Sequence, residues 1–395
     1  MKVDKIEVRN ILDSRQQPTI DVMIESNNIQ THAQIPSGKS TGKFEAKVLT
    51  LDQIKTLLPV INKQIVNISF NSIKEFDNFL LQLDSTEQKE KLGGNFLLGM
   101  SLAFARNLAQ HNNIQLWEII KNEFFNDNNF KNYPVIFSNL INGGLHANNN
   151  LNIQEYMVVV KLSNVKNDIE ILKNFYQQLG NFLQQKLNLA TIKLGDEEGY
   201  SCYFQNNEQP LNLLSELINN TDSPYDLAID AAASNFFDGV YIFENKKINN
   251  DELLNIYLKY FDQYKNFISI EDPFDETDYE GFQKILNKVG NTKLIVGDDL
   301  TVTNKKLIEQ AIKNKYINAV IIKPNQIGTI SETCASIAIA QKNNIKVIMS
   351  HRSGETLDPF VIDFAKACNA YGVKIGAPAK SRLPRYNRLI ELYFE

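Results

Sequence analysis

The sequence predicts an α/β protein in which a small α+β domain precedes a closed β/α barrel. The chain has 395 residues, of which 43% are hydrophobic and 22% charged, and this is enough for a large barrel and a second domain. From about residue 130, short apolar runs alternate with amphipathic stretches at the spacing of β/α units. Polar residues end most of these runs.

The first part of the chain has the mixed pattern of a small α+β domain. Alternating apolar residues predict three strands, and broader apolar faces predict two helices. The strands are expected at residues 3–9, 19–25 and 31–35, and the helices at residues 51–64 and 95–109. We place this domain at residues 1–128 and the barrel at 129–395, with an Asn- and Phe-rich linker between them.

The second part of the chain repeats a strand-then-helix pattern. The apolar runs are DLAID (226–230), FISIED (267–272), LIVGDD (294–299), AVIIK (319–323), VIMSH (347–351) and GVKIG (372–376). Strands that alternate with helices at this spacing form a parallel sheet. About eight such units fit the length available, which predicts a closed barrel.

Six polar residues end these runs. They are Asp230, Glu271, Asp298, Lys323, His351 and Lys374. The carboxyl ends of barrel strands meet on one face, so we expect these side chains in one pocket. Three carboxylates without cysteine ligands favour Mg²⁺, and they would repel one another without a cation. The alternative is that each acid caps the helix that follows it, but three on consecutive strands favour the metal site.

The two lysines at strand ends are candidates for chemistry. Lys323 follows four apolar residues, and nearby cations would disfavour its charged form, so that it could act as a base. A salt bridge with Asp298 or Asp299 is the alternative, and both roles can coexist. Lys374 could face the oxygen anions of a substrate.

Three loop segments could complete the pocket. HRSG supplies His351, Arg352 and Ser353, a set suited to an anion, although Arg352 could instead be part of a buried ion pair. Glu197, in the glycine-flanked turn GDEEG, is a candidate general acid. The segment 146–156 adds His146, Gln154 and Glu155, with a solvated loop as the alternative for both segments.

The run SGKST at residues 37–41 resembles a phosphate-binding loop, but the glycine that this motif requires is Ala33. A mobile loop that closes over the barrel fits it better.

Bulk properties exclude several classes of partner. A net charge of −5 and scattered basic residues give no basis for binding nucleic acid. Three cysteines without a CxxC motif are expected to be reduced thiols. No apolar run is long enough for a membrane span, and the N-terminus lacks the pattern of a signal peptide. We therefore expect a cytoplasmic protein.

Taken together, the motifs resemble those of the enolase family over nearly the whole chain. The matching blocks are ILDSRQQPT (11–19), PSGKSTG (36–42), LINGGLHANNNLNIQEYM (140–157), GDEEG (195–199), SIEDPFDE (269–276), GDDLTVTN (297–304), IIKPNQIGT (321–329), SHRSGET (350–356) and KIGAPAKS (374–381). The resemblance implies an enolase-type (β/α)8 barrel whose first two strands and two helices precede the regular units.

The resemblance also implies a reaction, the dehydration of 2-phosphoglycerate to phosphoenolpyruvate with two Mg²⁺ ions, the second bound with substrate. Lys323 would then remove the C2 proton, and Glu197 would help the C3 hydroxyl leave. The metal ligands would be Asp230, Glu271 and Asp298, with Ser40 beside the second ion. Substrate-contacting or supporting positions would be His146, Gln154, Glu155, His351, Arg352, Ser353 and Lys374.

The chain departs from the family pattern at several positions. Glu198 stands where the family has glycine, Lys39 where it has alanine and Lys380 where it has arginine. The family pairs an acid and an arginine between subunits, but the corresponding residues here are Asp21 and Glu391. A homodimer with an altered interface is expected.

Two other functions remain open at this stage. One is a non-catalytic descendant that serves as a binding protein, although every expected acid, base and ligand is present. The other is a lyase that uses Lys323 as a Schiff-base nucleophile, and metal dependence separates it from the first hypothesis.

Overall fold

The computed structural model describes residues 1–39, 42–125, 133–221 and 223–393. Ser40 and the predicted domain boundary after residue 128 lie outside these ranges. The predicted linker lies mostly outside them as well.

The N-terminal part contains an antiparallel three-stranded sheet, in the order β1-β2-β3, and four helices. The strands are β1 (Lys5–Leu12), β2 (Pro18–Ser26) and β3 (Ile29–Gln34), and the helices are α1 (Leu51–Ile65), α2 (Ile73–Asp84), α3 (Gly94–His111) and α4 (Leu116–Phe124). The three strands and two helices expected from the sequence are present, whereas α2 and α4 were not anticipated. The helix α3 packs on the sheet and is buried along nearly its whole length, which explains its broad apolar face.

The remaining described residues form the barrel and its surrounding helices. The strands are β4 (Val135–Asn142), β5 (Glu155–Val160), β6 (Lys193–Leu194), β7 (Tyr200–Ser201), β8 (Asp226–Asp230), β9 (Tyr241–Phe243), β10 (Lys246–Ile248), β11 (Phe267–Glu271), β12 (Leu294–Gly297), β13 (Ala319–Ile322), β14 (Lys346–Ser350) and β15 (Gly372–Lys374). The helices are α5 (Val165–Lys186), α6 (Gln209–Asn220), α7 (Asn250–Gln263), α8 (Tyr279–Val289), α9 (Lys305–Lys313), α10 (Ile330–Lys342), α11 (Phe360–Ala367) and α12 (Leu383–Tyr393).

Eight of these strands close into a barrel in the order β4-β5-β8-β11-β12-β13-β14-β15, and β15 pairs with β4. The strand β5 runs antiparallel to both of its neighbours, whereas the other pairs within the barrel are parallel. Two strands and then two helices precede the regular units, which confirms the irregular opening expected from the resemblance. Because β5 is reversed, its first residue, Glu155, pairs with the last residue of β8, Asp230.

Side chains along each barrel strand point alternately into the barrel and towards the surrounding helices, which gives this domain two apolar cores. The barrel interior is filled by a compact apolar cluster of Phe137, Met157, Val159, Ala228, Leu294, Val296, Ala319, Ile321 and Ile348. Residues of opposite parity, such as Ile229 and Val320, belong to the larger core that includes the surrounding helices. The interior is therefore packed, and chemistry is confined to the end of the barrel.

Buried polar contacts hold the N-terminal part against the barrel. The backbone N–H of Ser331, in the first turn of α10, donates to the carboxylate of Asp77 in α2 at 2.8 Å. Lys89 pairs with Glu332 at 2.8 Å, and Arg106 pairs with Asp358. Burial raises the pKa of Asp77 to about 7, because its hydrogen bonds do not compensate for the loss of water.

We expect Asp77→Asn to stabilise the protein at pH 8 more than at pH 5. The ordinary pKa of this group is near 3.8, so the folded state holds a proton that the unfolded state releases between about pH 4 and 7. Wild type therefore loses stability as pH rises through this range, by roughly 4 kcal/mol at most. Asparagine keeps an acceptor for Ser331 and does not titrate.

Thermal unfolding midpoints at pH 5 and pH 8 would measure this difference. The exposed Asp52→Asn is the control and should follow wild type at both values. Equal pH dependence in Asp77→Asn and wild type would contradict the prediction.

Candidate active site

One pocket lies at the carboxyl ends of the parallel barrel strands. Eleven of the residues singled out from the sequence line it, namely His146, Gln154, Glu155, Glu197, Asp230, Asp298, Lys323, His351, Arg352, Ser353 and Lys374. Glu271 joins the group through Lys374. The structure thus brings together every predicted site residue that it describes, and only Ser40 lies outside the described residues.

A buried ammonium group links three carboxylates in this pocket. Lys374 Nζ lies 2.8 Å from Asp230 Oδ2, 2.8 Å from Glu271 Oε1 and 3.2 Å from Glu155 Oε2. Burial opposes the charge on Lys374, but the surrounding carboxylates raise its pKa well above the usual value. Burial and then the charge of Asp230 raise the pKa of Glu271. Three carboxylates therefore share the ammonium group of Lys374.

The second strand-end lysine is paired with one acid. Lys323 Nζ forms a salt bridge with Asp298, which confirms the pairing that the sequence left open. Burial lowers the pKa of Lys323, and Arg352 acts in the same direction, but the charge of Asp298 outweighs them and raises it. The nearby cations Arg352 and Lys374 do disfavour the charged form of Lys323, as expected, but Asp298 has the larger effect in this structure.

Two further acids, Asp272 and Asp299, belong to the site but were not predicted as site residues from the sequence. Both carboxylate oxygens of Asp272 accept backbone N–H groups, from Asp298 at 3.0 Å and from Asp299 at 2.7 Å. Burial raises the pKa of Asp299 to about 7, and that of Asp272 is also raised. The signal in the sequence is that each follows a strand-end acid directly, in the pairs Glu-Asp and Asp-Asp.

The donor chemistry of this region fits a hard divalent cation. Asp272, Asp298 and Asp299 each offer an oxygen, and these oxygens lie within 4.8 Å of one another. Asp230 and Glu271 hold their oxygens around the ammonium of Lys374. An all-oxygen set of carboxylates suits Mg²⁺ rather than zinc.

Glu197 lies among two histidines and an asparagine. Its carboxylate is 3.1 Å from His351 Nε2 and 3.8 Å from His146 Nδ1, and Asn139 donates to it at 3.3 Å. Burial opposes its charge, but His351 and His146 outweigh burial and hold its pKa well below the usual range. His146 Nδ1 is also 3.4 Å from Glu155 Oε1.

Burial and charge shift the pKa values of the groups around Glu197 in different directions. Burial and then the charge of Glu197 raise the pKa of Glu155, while the carboxylates outweigh burial to raise that of His146. Burial lowers the pKa of His351 to about 3. The charge of Glu197 therefore raises the pKa of its neighbours His146 and Glu155, and these groups titrate together.

Close backbone packing explains why glycines flank the turn that carries Glu197. A Cβ at Gly199 would lie 1.9 Å from Asn142 Oδ1, and one at Gly195 would lie 2.6 Å from the carbonyl oxygen of His146. A side chain at Gly199 would require the Asn142 side chain to move, and one at Gly195 would require the backbone of the loop after β4 to shift. The turn is thereby held against the mouth of the barrel.

The arginine of HRSG is paired with an acid from the N-terminal part. Arg352 Nη1 lies 3.0 Å from Glu45 Oε2, which confirms the buried ion pair that the sequence left as an alternative. Behind it, Arg382 donates to the carbonyl oxygens of Arg352 and Ser353 at 2.9 and 2.7 Å. Glu45 and Arg382 were not recognised as site residues, because neither stands at a strand end.

Ser353 and Gln154 have specific partners. Ser353 Oγ accepts the backbone N–H of Lys39 at 2.9 Å, and Lys39 Nζ reaches Asp196 at 3.0 Å. Gln154 Oε1 accepts from Asn235 at 3.2 Å. The segment before residue 40 is thus attached to both sides of the pocket.

Other features of the chain are simpler. Among the described residues, no helix has the length and apolar character needed to cross a membrane. The three cysteines are buried and unpaired, as expected from their spacing.

The fold and the pocket define a β/α-barrel enzyme whose strand ends carry carboxylates and lysines. The family profile described as "Enolase, N-terminal domain" matches residues 3–120, and "Enolase, C-terminal TIM barrel domain" matches residues 131–394. The chain therefore belongs to the enolase family.

Curated relatives match along the full length. The chain is 39% identical to "Enolase" of Ehrlichia chaffeensis, covering 100% of this chain and 96% of the relative. It is 38% identical to "Enolase 2" of Lactobacillus johnsonii, covering 99% and 94% of the two chains. The identity to "Enolase" of Campylobacter lari is 38%, with 99% and 96% covered.

Proposed function

We propose that this chain is a hydro-lyase that interconverts 2-phosphoglycerate and phosphoenolpyruvate in glycolysis and gluconeogenesis. The observation that carries this proposal is one pocket, in an enolase fold, that holds a buried lysine, a buried glutamate and a set of carboxylates. A glycolytic reaction also agrees with the cytoplasmic location expected from the sequence.

The reaction begins at a weakly acidic carbon. The C2 proton of the substrate lies next to a carboxylate, and its removal places a second negative charge on that group. Asp230, Glu271 and Asp298 would hold a divalent ion, which would supply electrostatic stabilisation of this charge, as in the general scheme of enolase-superfamily sites.

Lys323 is proposed as the base at C2. It must be neutral to accept the proton, and its salt bridge with Asp298 opposes that. If Asp298 serves as a metal ligand, the metal ion balances part of its negative charge, and Asp298 raises the pKa of Lys323 less. Burial and Arg352, which already lower the pKa of Lys323, then favour the neutral amine.

Glu197 is proposed as the acid that protonates the departing C3 hydroxyl. Its pKa is low in this structure, so it needs a proton source. His146, between Glu197 and Glu155, is placed to supply one. Lys374 and Arg352 are proposed to face the carboxylate and phosphate of the substrate, since both carry buried positive charge.

We propose two Mg²⁺ ions as the cofactor, the second bound with substrate. Enolases are metal-dependent, and the residues proposed to hold the first ion are Asp230, Glu271 and Asp298. Ser40, proposed beside the second ion, lies outside the described residues.

The two alternative functions have less support. A Schiff-base lyase acts through its lysine without a metal ion, whereas Lys323 lies beside a cluster of carboxylates suited to a divalent cation. A non-catalytic binding protein would have no use for a buried set of acids and lysines, which costs folding free energy.

Metal binding is testable without activity. Adding Mg²⁺ to chelator-treated protein should raise the thermal unfolding midpoint, because an ion that binds only the folded state stabilises it. Asp230→Asn should reduce this rise, since it removes one proposed ligand.

The exposed Asp262→Asn is the control and should respond like wild type. A midpoint that does not change with Mg²⁺ in wild type would argue against a metal site in the free protein.

Measuring C2 proton exchange in D₂O together with product formation distinguishes the proposed roles of Lys323 and Glu197. Lys323→Ala should lose both exchange and dehydration, by roughly 10²–10⁴-fold, because the base acts first. Glu197→Gln should lose dehydration but keep exchange at C2. NMR of the substrate and ultraviolet absorbance of the enol phosphate would measure the two rates.

Lys346→Ala is the matched lysine control, because Lys346 begins β14 at the opposite end of the barrel. Exchange that survives in Lys323→Ala would refute its role as base. Absence of turnover in folded, Mg²⁺-loaded wild type would refute the proposed function itself.

We also propose a homodimer with an altered interface. Asp21 pairs with Arg9 at 2.8 Å and with His32 at 3.2 Å within the chain, and Glu391 pairs with Arg388 at 2.5 Å. Each acid is therefore neutralised internally, which supports an interface that does not depend on an acid–arginine pair between subunits.

Size-exclusion chromatography with light scattering should give twice the chain mass of 45.0 kDa. A mass of one chain at micromolar concentration would contradict the dimer.

A further inference from the structure

Glu198, the residue after the proposed acid, has a backbone conformation that favours glycine. Its φ is 65°, in the left-handed region, where a non-glycine residue is strained. Such a conformation persists only when the surrounding structure supports it. The side chain of Glu198 is 14% exposed and has defined partners, so its contacts are the natural place to look for that support.

The carboxylate of Glu198 is anchored to the segment that precedes α12. Ser381 Oγ donates to Glu198 Oε1 at 3.1 Å. Lys380 Nζ is 3.6 Å from Glu198 Oε2, but the lysine side chain is 70% exposed, so this ion pair contributes little. The hydrogen bond with Ser381 is therefore the main side-chain contact.

Hydrogen bonds from several parts of the chain also hold the backbone of this turn. Arg382 Nη2 donates to the carbonyl oxygen of Asp196 at 2.8 Å, and the backbone N–H of Ala377 donates to that of Glu197 at 3.2 Å. Tyr176, from α5, donates to the carbonyl oxygen of Glu198 at 2.5 Å. Three successive carbonyl groups are therefore held.

This anchoring also reaches the partner of Glu197. Arg382 Nη1 lies 3.2 Å from His351 Nδ1, and the other nitrogen of that ring is 3.1 Å from the carboxylate of Glu197. The segment before α12 thus holds the turn from one side and His351 from the other. The hydrogen bond between the side chains of Ser381 and Glu198 is a further link between the turn and this segment.

We propose that Glu198 is a positioning residue for Glu197. Its bond to Ser381 holds the strained turn against the segment before α12, and this keeps the carboxyl group of Glu197 in register with His351 and His146. The proposal rests on the proposed function, because it assigns Glu198 to the dehydration half of that reaction. The side chain of Lys323 is paired with Asp298 rather than with this turn, so the proposed step at C2 is separate from this anchoring.

The test compares Glu198→Ala, Glu198→Gln and Ser381→Ala. Glu198→Ala should lower kcat for dehydration about tenfold, because small misplacement of a catalytic group has effects of this order or larger. KM and C2 proton exchange should stay near the wild-type values, since the base is untouched. Glu198→Gln should retain dehydration within about twofold, because its amide oxygen still accepts from Ser381.

Ser381→Ala should reproduce the loss seen in Glu198→Ala, and the double variant should be no worse than either single one. The pH profile of kcat should shift in Glu198→Ala and not in Glu198→Gln. Lys380→Gln is the matched control from the same segment and should behave as wild type.

Several outcomes would overturn the proposal. One is unchanged kcat in folded Glu198→Ala or in Ser381→Ala, and another is a Glu198→Gln variant as slow as Glu198→Ala. Parallel loss of exchange and dehydration would indicate general damage to the pocket. If wild type itself shows neither exchange nor dehydration with Mg²⁺, the proposed function fails and the positioning role with it, whereas an active wild type isolates the role of Glu198.

Discussion

Burial of several carboxylates at one end of a barrel costs free energy unless each is paired or protonated, and this constraint organises the pocket. Lys374 lies among Asp230, Glu271 and Glu155, while Lys323 takes Asp298. Among the other acids, Asp272 and Asp299 have a raised pKa, whereas Glu197 is paired with His351 and His146.

The N-terminal part of the chain completes this electrostatic arrangement. Glu45 supplies the carboxylate that pairs with Arg352, so the charge of this barrel arginine is neutralised from outside the barrel. Ser37 forms a two-way backbone pairing with Gly354, beside Ser353. The pocket is therefore shared between both parts of the chain, and the buried contacts of Asp77 and Arg106 hold them in register.

Much of this could be predicted from the sequence, because strand-end positions are set by a simple periodicity. That rule placed Asp230, Asp298 and Lys323 at one face before any contact was known. It could not give the pKa of Lys323, which depends on whether Asp298 outweighs burial and the neighbouring cations. Glu45 and Arg382 were missed because they belong to no strand, and their partners are distant in sequence: Arg352 is 307 positions from Glu45, and Asp196 is 186 positions from Arg382. Only tertiary packing brings such residues together.

The reversed strand β5 has a consequence for how the barrel forms. A hairpin of β4 and β5 requires the closure of only a short loop, whereas the pairing of β15 with β4 joins residues more than two hundred positions apart. Loop-closure entropy therefore favours the hairpin as an early structure and the final seam as a late one. The loop of that hairpin carries His146 and Gln154, so part of the catalytic mouth can be organised locally before the barrel closes. The carboxylates of Asp230, Glu271 and Asp298, which end later strands or follow them directly, come together only when the ring is complete.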